Sequence, residues 1–291
     1  MDVLREDPVD EAAPPAATPA VTFDSAGVPL LGVLHLPAGP GPHPVVVLLH
    51  GFPGNERNFD LAQALRRAGY AALVFHYRGS WGVGGAFSWG NVLADVRAVL
   101  AGLRDPGFAA GHRLDPGRVA LAGHSMGGFA ALMTAAADPE VRAVASIAGF
   151  DFGRAAAECA AGEGARAAYT EMFQGELLPL RGTSGEALVA EMTAAGEEWL
   201  LPRLAPRFAG RPVLLVGCGR DTVAPVAAHH EPLVEACLAV AEPGVRLRHL
   251  VLPTDHALSD RRVALTRTLL AFLADHLAPA PLSVPDGIVG A

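Results

Sequence analysis

From about residue 21 onward, short apolar runs alternate with longer stretches in which apolar residues recur every three or four positions. The first kind predicts strands and the second predicts amphipathic helices. The strand candidates are "VTFDS", "LLGVLHL", "PVVVLLH", "AALVFHY", "RVALAG", "VRAVASIAG", "RPVLLVG" and "VRLRHLVL". The helix candidates between them are "FDLAQALRRAG", "NVLADVRAVLAGLR", "MGGFAALMTAAAD", "VAAHHEPLVEACLAVA" and "SDRRVALTRTLLAFLADHL". Several of the strands are apolar at every position, as expected when helices cover both faces of a sheet. Strands that alternate with helices cross over onto a mostly parallel sheet. The pattern therefore predicts an α/β fold with a mostly parallel, eight-stranded, doubly wound sheet.

Between 150 and 211 the rhythm breaks. No strand pattern occurs there, and two helical stretches, "GRAAAECAAGEGARAAYTEMF" and "TSGEALVAEMTAAGEEWLLPRLAPRFAG", are separated by Gly and Pro. Thr183, with Glu186 three residues on, has the spacing of a capping box. Residues 150–210 are thus expected to form a small helical cap between strands 6 and 7, inserted into a core made of 21–149 and 211–278. Residues 1–20 are acidic and rich in Pro and Ala, which suits a disordered tail better than a secretory leader. Residues 279–291 read as a C-terminal tail.

Composition narrows the function. With 51% hydrophobic residues over 291 positions and no apolar run long enough to span a bilayer, the chain is expected to be cytoplasmic and without a membrane partner. A formal charge of −8 argues against a nucleic-acid partner, which needs a basic face to displace counterions from phosphates. All 22 basic residues are arginine, so lysine chemistry is excluded. Cys159, Cys218 and Cys237 form no CxxC or Cys/His cluster, and His229, His230 and Glu231 lack the spacing of a metal site on one helix face. Neither a metal nor an organic cofactor is expected, and a homodimer is the assembly to test.

The chemistry centres on "RVALAGHSMGGFAA". Here G-x-S-x-G lies between a strand and a helix, the context of a nucleophile elbow carrying Ser125. Gly123 and Gly127 are needed where side chains would collide across so sharp a turn. Serine is a weak nucleophile near neutral pH, so a histidine must take its proton and a carboxylate must orient that histidine. His256, in "VLPTDHALSD", follows the last strand and precedes the last helix. His35, His43, His76, His229, His230 and His276 are better explained by packing. The ring of His124, next to the nucleophile, is expected to point away from it. Asp221, in "VLLVGCGRDTVAP", follows the seventh strand. It is preferred to Asp255, too close to His256 in the backbone, and to Asp260, expected to cap the final helix. The order Ser125, Asp221, His256 is that of the α/β-hydrolases. The loop "HGFPG" after the third strand offers the Phe52 N–H as one oxyanion donor, with the Met126 N–H as the other.

These segments, with "FHYRGSWGVGGAFSWGNVLADV", "GHSMGG", "LRGTSGEALVAE" and "TDHALSD", resemble an α/β-hydrolase over 21–277. The likeness is to the bacterial branch that grades into dienelactone hydrolases and prolyl-oligopeptidase-like (S9) catalytic domains. It implies the fold, the triad and the oxyanion roles of Phe52 and Met126. Two features depart from those branches: S9 peptidases usually carry an N-terminal propeller, which residues 1–20 cannot replace, and the expected nucleophile is serine where dienelactone hydrolases use cysteine.

The expected activity is hydrolysis of a small-molecule carboxylic ester, or an amide, through an acyl-enzyme on Ser125. The alternatives are an S9-like peptidase, a lyase, perhydrolase or acyltransferase using the same triad, and a ligand-binding protein on a hydrolase scaffold. Phe52, Trp81, Phe87, Trp89 and Phe150, with Tyr169 or Met172 from the cap, are the candidates to line the substrate pocket.

Overall fold

The computed structural model describes residues 13–279, together with Leu4 and Glu6. In chain order the elements are β1 (Ala20–Ser25), β2 (Val28–His35), β3 (His43–Leu49), α1 (Phe59–Arg67), β4 (Ala71–Phe75), α2 (Trp89–Leu103), α3 (Pro106–Gly111), β5 (Leu114–His124), α4 (Met126–Ala137) and β6 (Val141–Ile147). After β6 come α5 (Phe152–Ala161), α6 (Glu163–Gly175), α7 (Gly185–Ala195) and two 3-10 segments, Gly196–Trp199 and Leu201–Phe208. The chain then returns through β7 (Pro212–Cys218), α8 (Val226–His229), α9 (Glu231–Leu238), β8 (Arg246–Leu252) and α10 (Arg262–Leu277).

All eight strands join one sheet in the order β1-β2-β4-β3-β5-β6-β7-β8. β2 runs antiparallel to both β1 and β4, and every later pairing is parallel. The strands β3, β4 and β7 are buried at every position, because helices lie on both faces. The pleat sends alternate residues to opposite sides. Val45, Val47 and Leu49 pack with residues of α2, α4 and the 150–210 segment, while Val46 and Leu48 pack with residues of α1 and α10. Among the described residues no helix is long and apolar enough to cross a membrane, and no group of His, Cys, Asp and Glu could hold a metal ion.

Several local expectations are corrected. Residues 13–19 of the expected tail include Ala17, which exchanges both backbone hydrogen bonds with Leu36 beside β2. Most of 1–12 and all of 280–291 lie outside the described residues. The expected helix "VAAHHEPLVEACLAVA" breaks into α8 and α9, since Pro232 near the start of α9 has no N–H to continue the ladder. The cap of α7 is Ser184, whose Oγ accepts the Ala187 N–H at 3.1 Å, one residue later than the Thr183 spacing suggests. Trp89 ties α7 to the core: the Glu191 carboxylate accepts the N–H groups of Trp89 and Gly90, each at 2.8 Å, and the Leu188 carbonyl accepts the indole N–H at 3.0 Å.

Candidate active site

The loops that follow β3, β5, β7 and β8 meet beyond the carboxyl edge of the sheet. At the end of β5, Ser125 takes φ 55° and ψ −120° at the start of α4. Backbone of this kind costs a non-glycine residue roughly 1–3 kcal/mol and persists only where its surroundings enforce it. Here the Ile147 carbonyl accepts the Ser125 N–H at 2.9 Å, and the Ser125 carbonyl accepts the N–H groups of Phe129 and Phe150 at 3.1 and 3.2 Å. A Cβ on Gly123 would fall on the Gly127 carbonyl, and one on Gly127 would fall on the Leu49 carbonyl. The two glycines are therefore steric requirements of the elbow.

Asp221 and His256 come together. Asp221 Oδ1 accepts the N–H groups of Val223 and Ala224, both at 2.8 Å, and Oδ2 lies 2.6 Å from His256 Nδ1. The Asp221 side chain is fully buried, whereas that of His256 is 20% exposed. Burial alone would raise the Asp221 carboxyl, but the His256 bond and charge, with the two N–H donors, outweigh it and hold the group below the usual carboxylate range. With Nδ1–H donating to the carboxylate, Nε2 of the neutral ring keeps its lone pair for a proton.

A second tie joins the loops carrying Asp221 and His256. The Thr254 carbonyl accepts the Arg220 N–H at 2.9 Å, and the Asp260 carboxylate accepts the Thr254 hydroxyl at 2.5 Å and the Arg220 guanidinium at 2.9 Å. Asp260 thus links the loops and does not cap α10, whose start has no side-chain cap. Asp255 is turned to Ser259, accepting its N–H and its hydroxyl.

His124 departs from expectation. Its ring does not turn away from the site but lies 4.9 Å from the His256 ring, and its Nε2–H donates to the His256 carbonyl at 2.7 Å. Burial, followed by the charge of His256, lowers His124 to about 4, so the ring is neutral near pH 7.

The loop after β3 is fixed from both sides of Phe52. His50 Nδ1–H donates to the Gly51 carbonyl at 2.8 Å, and the Trp81 indole N–H donates to the Pro53 carbonyl at 2.8 Å. A trans peptide sends C=O and N–H in opposite directions, so the Phe52 N–H points away from the His50 ring. Met126 is the first residue of α4, where N–H groups have no partner within the helix.

Ser125, His256, Phe52 and Met126 line one cleft of about 270 Å³, together with His124, Trp89, Phe150, Met172 and other apolar residues. Among the expected pocket residues, Phe52, Trp89, Phe150 and Met172 are in its wall, and Phe87, Trp81 and Tyr169 are not. Phe87 is 2% exposed and forms a second layer, its ring 5.9 Å from Phe52 and 5.5 Å from Trp89. Trp81 borders a neighbouring cavity. Tyr169 gives its hydroxyl to Glu158 at 2.7 Å and is not in the wall. Phe152 and Phe173, absent from the sequence-derived set, are in it. Their signal was adjacency to Phe150 and Met172. Behind Phe150 the His229 ring stacks at 4.7 Å, and its Nδ1 accepts the Asp151 N–H at 2.9 Å. Burial lowers His229 to about 4. It raises Asp151 to about 6 against the N–H groups of Arg154 and Leu201.

A sheet of this order, with an elbow serine after β5 and an Asp–His pair from the loops after β7 and β8, defines a class, and the comparisons agree. Residues 46–268 match the alpha/beta hydrolase family, and the chain belongs to it. Among curated relatives, 2,6-dihydropseudooxynicotine hydrolase of Paenarthrobacter nicotinovorans is 28% identical over 139 residues, covering 47% of this chain and 36% of that protein. Quorum-quenching protein AidA of Acinetobacter baumannii is 35% identical over 138 residues, covering 45% and 44%. The chain therefore spans less than half the length of both relatives. In fold it is similar to an esterase from Pyrococcus furiosus, with a TM-score of 0.64 and 17% identity over 90% of this chain and 92% of the other.

Proposed function

We propose that the protein is a serine hydrolase that cleaves a small-molecule carboxylic ester through an acyl-enzyme on Ser125. The observation that carries this reading is the 2.6 Å bond from His256 Nδ1 to a buried Asp221, in a cleft that Ser125 and His256 both line. His256 Nε2 takes the Ser125 hydroxyl proton as Oγ attacks the substrate carbonyl carbon. The negative oxygen that forms is held by the N–H groups of Phe52 and Met126, where fixed donors need no reorganisation as charge develops. Collapse breaks the bond to the alcohol oxygen, which leaves with the proton from His256. Water then gives a proton to His256, attacks the acyl carbon and releases the acid, and Ser125 recovers its proton. The aromatic wall of the cleft favours an apolar group beside the scissile carbonyl. Ser125→Ala should lower turnover of p-nitrophenyl acetate by about three orders of magnitude or more, and it should abolish labelling by a fluorophosphonate. Unchanged turnover in purified Ser125→Ala protein would overturn the assignment.

A further inference from the structure

The cleft around Ser125 is small for a ligand site, since pockets that bury a substrate typically enclose roughly 300–1,000 Å³. Directly beside it lies a second cavity of about 490 Å³. Pro53, Asn55 and Glu176 form part of the wall of both, so the two spaces adjoin at these residues. Trp81, Leu178 and Pro179 line the second cavity but not the cleft.

We propose that this cavity is a second subsite, which takes an extended, uncharged apolar arm of the ester, ring-bearing or branched. The proposal deepens the hydrolase reading and rests on it. Three features support it. First, the walls are built in advance: Trp81 sits at φ 48°, its N–H donating to the Pro179 carbonyl at 3.0 Å and its indole N–H to the Pro53 carbonyl, with the Arg57 guanidinium 4.4 Å over the ring. The strands of this wall are further joined by an isolated bridge between Ser80 and Leu180. Second, Leu178 is 100% exposed. An apolar side chain with no cover in the free protein gains most from contact with an apolar ligand. Third, the charged groups at this cavity, Glu176 and Arg181, are opposite in sign, which favours neither an anionic nor a cationic arm. The arm extends either from the alcohol oxygen or from the acyl carbon, and the cavity chemistry is the same for both.

Two positions allow a clean test. Gly175, the last residue of α6, borders the cavity, and a Cβ built there meets nothing within 4 Å. Gly175→Phe therefore fills the subsite at a helical position where glycine is the poorer helix former. Leu178→Ser removes the exposed apolar contact. Ethyl acetate serves as the small reference, 4-phenylbutyl acetate as the alcohol-extended ester and ethyl 4-phenylbutanoate as the acyl-extended one. In the wild type, kcat/KM for one extended ester should exceed that for ethyl acetate. Leu178→Ser should cut this preference about tenfold, chiefly in KM, and Gly175→Phe should abolish it. Ethyl acetate turnover should be unchanged in both variants. The ester whose preference disappears identifies the arm. A ratio of extended to small ester that stays within about twofold of wild type in both variants, with Ser125 still labelled by fluorophosphonate, overturns the subsite. Failure of the wild type to label at Ser125 counts against the hydrolase reading instead. In that event, tryptophan fluorescence titration with 4-phenylbutyl acetate decides the subsite: weaker binding in Gly175→Phe supports it, and equal binding refutes it.

Discussion

Asp221→Asn is the sharpest test of the proposed mechanism, because the structure dictates how the new amide must sit. Asp221 Oδ1 accepts two backbone N–H groups at 2.8 Å, while Oδ2 faces His256 Nδ1. An asparagine has one acceptor oxygen. If that oxygen faced His256, its NH2 would confront the Val223 and Ala224 donors, leaving two N–H groups unpaired at a cost of about 1–3 kcal/mol each. The oxygen therefore stays on the backbone side, and the NH2 points at His256 Nδ1. That nitrogen must then act as acceptor, so the ring carries its proton on Nε2, where none can be taken from Ser125. Reaction proceeds only through the disfavoured arrangement, and its cost of about 2–6 kcal/mol predicts a fall in kcat of about 30- to 25,000-fold. The assay is initial-rate hydrolysis of p-nitrophenyl acetate, normalised to folded protein by circular dichroism. KM should change little, since no substrate contact is removed. Asp255→Asn is the control: its carboxylate faces Ser259, and kcat should stay within about threefold of wild type. An Asp221→Asn enzyme that keeps more than about a tenth of wild-type kcat would refute the reasoning.

Three further outcomes follow from the geometry. Gly127→Ala places a methyl on the Leu49 carbonyl at the heart of the sheet, so it should destabilise the fold by about 3 kcal/mol or more, read as a collapse of soluble yield or of the melting temperature. Glu191→Ala strips the acceptor from the N–H groups of Trp89 and Gly90. Losing such a cap costs about 0.5–2 kcal/mol, which should lower Tm by a few degrees and loosen the aromatic wall, raising KM for esters with small apolar groups. Stability should also fall from pH 7 to pH 5: burial lowers His50 to about 3 and His124 and His229 to about 4, so below 6.5 the unfolded chain takes up protons that the folded chain refuses. Each of these contributes a loss of about 2 kcal/mol at pH 5, against a gain of about 1 kcal/mol from Asp151, whose raised value of about 6 favours the folded form as pH falls; denaturant melts that show equal stability at pH 5 and 7 would contradict this.

How legible the fold was depended on how far each segment's pattern was local. The eight strands were visible because their runs are apolar for a reason that acts residue by residue, burial on one or both faces. α3 was not visible. Its six residues, "PGFAAG", hold a proline and two glycines, and what starts the helix is Asp105, whose Oδ1 accepts the Phe108 N–H at 2.8 Å. β5 begins at Leu114, four residues before its apolar run, because His43 and Pro44 pair with Leu114 and Asp115 across an irregularity that periodicity does not encode. Ser184, not Thr183, caps α7 since the two share the same chemistry and only the backbone decides between them.

The site divides along the same line. That Ser125, Asp221 and His256 lie close together could be read in advance because each follows a strand, and the carboxyl edge of a parallel sheet gathers such loops in one place. The aromatic wall could not be sorted, because Phe87, just before α2, and Trp89, its first residue, lie two positions apart, yet only Trp89 reaches the cleft. His124 shows the limit most clearly. From sequence it is the filler of G-x-S-x-G. In the fold it donates to the His256 carbonyl across 132 positions of chain, while Asp260 holds Arg220 to Thr254 from the other side. His256 is thus gripped on two sides, by the elbow at Ser125 and by the loop that carries Asp221. A histidine aimed this closely needs its backbone fixed as well as its ring, for a ring bonded at Nδ1 alone can still pivot about that bond. Donors to backbone carbonyls leave no trace in residue identity at the receiving end, so this half of the positioning is visible only in the fold.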